Sequence, residues 1–175
     1  VAGGRGMTFL HNGRYAETRM FDSVRMGLRY FAEKKRTPAG EVLDGIYFLP
    51  VDVPLFSVFT MEREARAFAA GGGEVYCPWY EGAPGHPLLI RCSALEELLA
   101  HNGERGLKGA YERLGERTVR LDMPDAGCVM DADTPEEFAR LEAFAQSRQV
   151  PDEAACHRLL AWFGTPEESV RHSEA

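Results

Sequence analysis

Apolar residues recur at helical spacing from Met20 to Ala32, where Phe21, Val24, Leu28 and Phe31 share a side and Arg25 and Arg29 mark a basic face. Phe56 to Ala70 repeats that period and stops at Gly71-Gly72-Gly73. Between them, Gly45-Ile46-Tyr47-Phe48-Leu49 is a nearly unbroken apolar run, the pattern of a central strand buried on both faces. Pro50-Val51-Asp52-Val53-Pro54 ends it, because its prolines stop strand pairing and fix the backbone. Further short strands are predicted at Met7–His11, Glu74–Cys77, Leu88–Ile90, Thr118–Leu121 and Cys128–Met130, and helices near Ala94–Ala100 and Leu107–Leu114. Asn12-Gly13 favours a turn, Lys34–Gly40 is an exposed break, and Gly82–Pro87 is a polar loop. The strand–helix–strand rhythm implies right-handed crossovers and a largely parallel sheet.

Thr134-Pro135-Glu136-Glu137 starts a helix that runs to about Gln146: Thr134 caps, Pro135 suits the first helical position and Glu137 completes a capping box. Ser147–Pro151 reads as a linker. Beyond it, Glu153–Phe163 and Pro166–His172 suggest two helices separated by Gly164. The domain expectation is therefore 1–147, followed by a linker and helical tail over 148–175.

Composition narrows the class. The chain has 175 residues, 45% hydrophobic and 27% charged, enough for one α/β domain with a short appendage. A net charge of −7 argues against broad nucleic-acid binding, which needs clustered Lys and Arg, while a single nucleotide requires only a local pocket. No segment approaches a membrane span and no leader pattern opens the chain, so the expectation is a cytoplasmic protein. Cys77, Cys92, Cys128 and Cys156 form no CxxC pair and read as reduced, partly buried thiols.

Asp52 stands where the most apolar strand ends, and ligands of parallel sheets bind beyond the carboxyl ends of strands. A carboxylate there can hold Mg²⁺ beside substrate phosphates, or cap the helix that follows. Asp131 and Asp133 flank Ala132 and point to opposite sides if the segment is extended, so only one faces a shared metal; capping and a solvated turn are the bland alternatives. His86, between Gly85 and Pro87, reads as a substrate contact or as an exposed loop residue, and Gly85 permits close approach of a ligand. Gly3-Gly4-Arg5-Gly6 is a weak phosphate-loop signal, since no GxxxxGK[ST] or complete GxGxxG follows.

Four segments in order carry a resemblance: Thr18-Arg19-Met20-Phe21-Asp22-Ser23-Val24, Leu49–Phe56, Gly85-His86-Pro87 and Asp131–Glu137. Together they resemble MobA-like nucleotidyltransferases, nearest the molybdopterin cytidylyltransferase-like branch. The resemblance implies a three-layer α/β/α Rossmann-like fold with a mostly parallel sheet. It also implies Mg²⁺-dependent transfer of a nucleoside monophosphate from CTP or GTP to a phosphorylated acceptor such as molybdopterin, releasing pyrophosphate. Asp52 matches the family's catalytic, metal-binding acid, Asp133 its later metal-facing position, and Asp131 is the less favoured candidate. Met20, Phe21, Asp22, Ser23 and Pro50 match nucleotide-binding segments; Gly85 and His86 match a loop near the acceptor.

Relatives open with a strand and an LAAGxSxRMG-like loop followed by a Lys, which Val1–Met7 resembles only superficially. The expectation is that further residues precede Val1. A noncatalytic nucleotide-sensing or interaction domain is the alternative function. In the tail, Cys156–Leu160, Gly164–Glu167 and Val170–Ser173 resemble the opening of an HD-type metal phosphohydrolase domain, in which His172 is a metal ligand if such a domain follows. The His-Asp pair and last Asp of that motif are absent.

Overall fold

Helix α1 (Met20–Lys34) forms where the periodicity places it, with Phe21 and Leu28 buried. Asp22 caps its own first turn by accepting the Arg19 N–H at 3.0 Å, and Lys35 ends the helix in the left-handed region. The chain then forms β1 (Gly45–Phe48), α2 (Val58–Ala70), β2 (Val75–Tyr80), β3 (Ala83–Pro84), β4 (Leu88–Arg91), α3 (Leu95–Leu99), α4 (Gly106–Glu112), β5 (Thr118–Asp122), α5 (Pro135–Ser147) and α6 (Glu153–Trp162). This is a computed structural model, and it describes residues 8–36, 40–148 and 153–166. Gly3–Gly6, Met7, the centre of the Lys34–Gly40 break and His172 lie outside the described residues.

Two compact units make up the chain. The first comprises Val1–Tyr47, Gly71–Tyr76 and Leu89–Val119; the second comprises Phe48–Ala70, Cys77–Leu88 and Arg120–Ala175. The sheet has strand order β1-β4-β2-β3, with β5 paired to β2. It is mixed, where the strand–helix rhythm implied a largely parallel one: β2 meets β4 antiparallel (Val75↔Ile90, Tyr76↔Leu89) and β3 antiparallel (Trp79↔Pro84, Tyr80↔Ala83). The reversal after β2 has a local cause. Glu81 and Gly82 both have positive φ, 47° and 86°, the backbone of a two-residue hairpin turn whose twist suits antiparallel strands.

Three other expectations change. Thr8–His11 forms no strand; Phe9 is 65% exposed there. Among the described residues the apolar β1 lies at the end of the strand order, and it buries only Ile46, with Tyr47 38% exposed, so it is not a strand buried on both faces. Over Cys128–Met130 the expected strand is replaced by a 3-10 turn at Ala126–Val129, because the Asp125 side chain accepts the Gly127 N–H and turns the chain.

Each of the two units has its own core. In the first, α1 packs on α3 and α4, and Phe21, Leu28, Val75, Tyr76, Ile90, Leu95 and Leu98 are buried. Each such large apolar side chain contributes about 1.5–3 kcal/mol. The second also buries Val53, Cys77, Leu88, Met123, Cys128 and Leu141, yet encloses Thr60, Glu64 and Asp125 among them. Burying polar groups costs free energy unless they are partnered; Thr60 and Asp125 bond each other, whereas the Glu64 oxygens have no hydrogen-bond partner.

Candidate active site

Asp52 sits in the turn after β1, half-buried, where Val53 N–H donates to the Pro50 carbonyl at 3.4 Å. Among the described residues no hydrogen bond or ion pair engages its carboxylate. Its negative charge acts on His86 of the same unit and favours protonation of that ring. Burial acts the other way and dominates, holding His86 below the usual histidine range. The His86 ring stands edge-on to Phe48 at 5.8 Å between centroids, and its Nδ1 is buried without a hydrogen-bond partner. A neutral imidazole with an unspent ring nitrogen is equipped to bind a polar ligand.

The loop carrying His86 is held by its main chain. Gly85 N–H donates to the Pro78 carbonyl at 2.8 Å, and His86 N–H to the Cys128 carbonyl at 2.7 Å. A Cβ on Gly85 would lie against the Cys128 carbonyl oxygen, so only glycine fits this approach.

Asp131 and Asp133 are exposed on the segment leading into α5. The capping box forms as the sequence indicates: Glu137 N–H donates to Thr134 Oγ1 at 3.2 Å, and Thr134 N–H to the Glu137 carboxylate at 2.9 Å. That carboxylate also accepts the Asp133 N–H at 3.1 Å, fixing the Asp133 backbone. These bonds, the Thr134 hydroxyl first, hold Glu137 below the usual carboxylate range. Neither the Asp131 nor the Asp133 carboxylate is spent on a hydrogen bond or ion pair among the described residues.

Met20, Phe21, Asp22 and Ser23 occupy the first turn of α1, in the other unit. Phe21 is 3% exposed and meets the His101 ring edge-on at 6.0 Å. Asp22 is occupied by capping, and Ser23 Oγ accepts from Asn12 Nδ2 at 3.0 Å. Met20, 78% exposed, is the most available of the four to a ligand.

Two residues of the second unit, Asp125 and Glu64, escaped sequence reasoning, and a third, Cys128, was read only as a reduced, partly buried thiol. Asp125 accepts hydrogen bonds from Ser57, Thr60 and Gly127. Glu64 is fully buried with neither carboxyl oxygen partnered, and burial pushes its carboxyl up to about 9. Cys128 is pushed up to about 12, chiefly by burial and then by the neighbouring Asp125, Cys77 and Glu64. A signal for Glu64 existed: Thr60, Glu64 and Phe68 follow at four-residue spacing on the inward face of α2.

Among the described residues no group of three His, Cys, Asp or Glu side chains could hold a metal. A cage built wholly of protein is thus not offered. Mg²⁺ does not require one, because it keeps several waters and takes one or two carboxylates with substrate phosphates. The unspent oxygen ligands of Asp52, Asp131 and Asp133 suit that chemistry. A cleft of about 120 Å³ in the first unit, lined by Glu97, Ala100, His101, Ala110 and Arg113, includes none of the candidate residues. No helix among the described residues is long and apolar enough to cross a membrane. The described cysteines form no disulfide among the described residues; Cys77 and Cys128 are buried and Cys156 is exposed.

Residues 1–119 match the family described as the MobA-like NTP transferase domain. Asp131, Asp133 and α5 lie beyond the matched residues. No curated protein matches the chain.

Proposed function

The chain belongs to the MobA-like NTP transferase family and is a nucleotidyltransferase with a nucleoside triphosphate substrate; from that premise we propose that it transfers a nucleoside monophosphate from CTP or GTP to a phosphorylated acceptor such as molybdopterin. An acceptor phosphate oxygen attacks the α-phosphorus, a new P–O bond forms, and the bond to the bridging oxygen breaks to release pyrophosphate. No protein nucleophile is needed, since in-line transfer of this kind depends on positioning and charge neutralisation.

The observation that carries this reading is the state of Asp52. A half-buried carboxylate on the turn after β1, with no hydrogen bond or ion pair among the described residues, keeps its oxygens available to a ligand. Asp52 would hold Mg²⁺, with Asp133 favoured over Asp131 as a second ligand. When bound, the ion neutralises charge on the phosphates as the pyrophosphate leaves. On this reading His86 and Gly85 line the acceptor side, with the main chain of the loop kept in place by Cys128. Met20 to Ser23 and Pro50 serve the nucleotide.

The test is pyrophosphate release with CTP or GTP, molybdopterin and Mg²⁺, comparing the wild type with Asp52→Asn. Loss of a ligand worth several kcal/mol in the transition state corresponds to a drop of about 100-fold or more, with stability little changed. Chelation with EDTA should abolish release and Mg²⁺ restore it. Equal turnover in Asp52→Asn would remove this residue from the reaction, and release that persists in EDTA would remove the metal.

A further inference from the structure

Asp125 is 7% exposed, and no motif of the sequence singled it out. One of its oxygens, Oδ2, accepts three hydrogen bonds: from Ser57 N–H at 2.7 Å, Ser57 Oγ–H at 2.8 Å and Thr60 Oγ1–H at 2.5 Å. The other, Oδ1, accepts Gly127 N–H at 3.2 Å. Three donors thus crowd Oδ2, and one reaches Oδ1. Ser57 and Thr60 are 68 and 65 residues distant in sequence, which makes the bonds to them tertiary links.

What these bonds join matters. Ser57 immediately precedes α2, so Asp125 supplies from a remote segment the anionic cap that favours a helix N-terminus. The Asp52 turn feeds directly into that end. On the other side, Gly127 begins the short path to Asp131 and Asp133. The two segments touch through their main chains, since a Cβ on Gly127 would lie against the Leu55 carbonyl oxygen. The next residue, Cys128, accepts the His86 N–H. The Asp52 turn, the Gly85-His86 loop and the approach to Asp133 therefore meet at one buried junction, and Asp125 is its charged centre.

We propose that Asp125 is a positioning residue for the metal–nucleotide site, holding the segment that bears Asp52 in register with the segment that bears Asp131 and Asp133. The proposal rests on the reading of those acids as metal-facing. The role is one of positioning and not of ligation, because Asp125 is 7% exposed and four donors of the protein engage its oxygens. An Asn at this position can still turn its carbonyl oxygen toward Ser57 and Thr60, but its amide then faces the Gly127 N–H, donor against donor. Asp125→Asn thus releases the Gly127 side and keeps the link to α2.

The experiment is Mn²⁺ binding in the presence of CTP or GTP, followed by electron paramagnetic resonance, for wild type, Asp52→Asn, Asp125→Asn and Thr60→Val, with nucleotide binding in EDTA as reference. Changes to residues that orient metal ligands typically weaken metal affinity by about 10–100-fold, and that loss is expected for Asp125→Asn with nucleotide binding in EDTA unchanged. Thr60→Val, which removes a single donor and leaves the Gly127 link, is expected to weaken Mn²⁺ less. A merely structural Asp125 would lower the thermal midpoint and leave the Mn²⁺ affinity of the folded protein unaltered, and that result overturns the proposal. Should Asp125→Asn fail to fold, Thr60→Val decides: unaltered Mn²⁺ affinity overturns the proposal and weakened affinity sustains it. If Asp52→Asn also binds Mn²⁺ like the wild type, the metal reading fails with it. Loss in Asp52→Asn without loss in Asp125→Asn sinks the positioning role alone.

Discussion

The main-chain N–H of His86 donates to the carbonyl of Cys128 across 2.7 Å, and the residue before it has no room for a side chain. The conformation of the Gly85-His86 loop is therefore set by a neighbour 42 positions along the chain, as well as by its own glycine and proline.

Gly85→Ala tests that constraint. Its Cβ would lie against the Cys128 carbonyl oxygen and 2.8 Å from the Cys128 sulfur, and the first of these is main chain that cannot swing aside. The loop must move. Overpacking of this kind costs about 1–3 kcal/mol, to be read from the urea midpoint. Turnover should fall along with it, and an unchanged midpoint with unchanged turnover would show that the loop absorbs the methyl group.

Glu64 gives a pH-dependent prediction. Its carboxyl titrates near 4.5 when unfolded and at about 9 when folded, so between those values the folded state holds a proton that the unfolded state has lost. Stability from this group is complete below pH 4.5 and declines as pH rises toward 9, by about 1.4 kcal/mol per pH unit. Glu64→Gln removes the dependence. Urea denaturation at pH 6 and pH 8 should show the wild type weakening relative to the variant, and parallel behaviour of the two would mean that Glu64 is not protonated in the fold.

Local chemistry was legible where it is self-contained. The Thr134–Glu137 capping box, the inward face of α1 and the stop of α2 at the glycine run all follow from residues a few positions apart. Burial of β1 was not, because an apolar run does not reveal how much of its strand the fold covers, and Tyr47 is 38% exposed. The Cys128–Met130 segment was misread for a related reason: its turn depends on Asp125, whose other partners lie 65 and 68 residues upstream. Asp52 could be named a candidate from its place after an apolar run, whereas nothing in the spacing of Ser57, Thr60 and Asp125 announces that the three meet.

Cysteine reactivity should separate by environment. Thiolate is the reactive form, and burial pushes the Cys128 thiol up to about 12 and also raises that of Cys92. Cys156 is exposed, while Cys77 and Cys128 are buried. Iodoacetamide at pH 8 should label Cys156 first and reach Cys128 only in denaturant, as measured by mass spectrometry of the digested protein. Rapid native labelling at Cys128 would mean that the junction opens readily.

His86 offers a titration that reads the site directly. Burial lowers its affinity for a proton and the Asp52 charge partly restores it. The unfolded ring titrates near 6.5, so as pH falls below that value the unfolded state takes up a proton sooner than the folded one, and stability declines until the folded ring also titrates. Replacing Asp52 by Asn removes the favourable charge, which should move the His86 midpoint lower still and steepen the acid loss of stability. The ring Cε1–H resonance followed by NMR from pH 7.5 to pH 4 gives that midpoint in both proteins. A downward displacement in Asp52→Asn places the two side chains in electrical contact; identical midpoints would mean that solvent screens Asp52 from the ring, and the carboxylate would then have to act without support from His86.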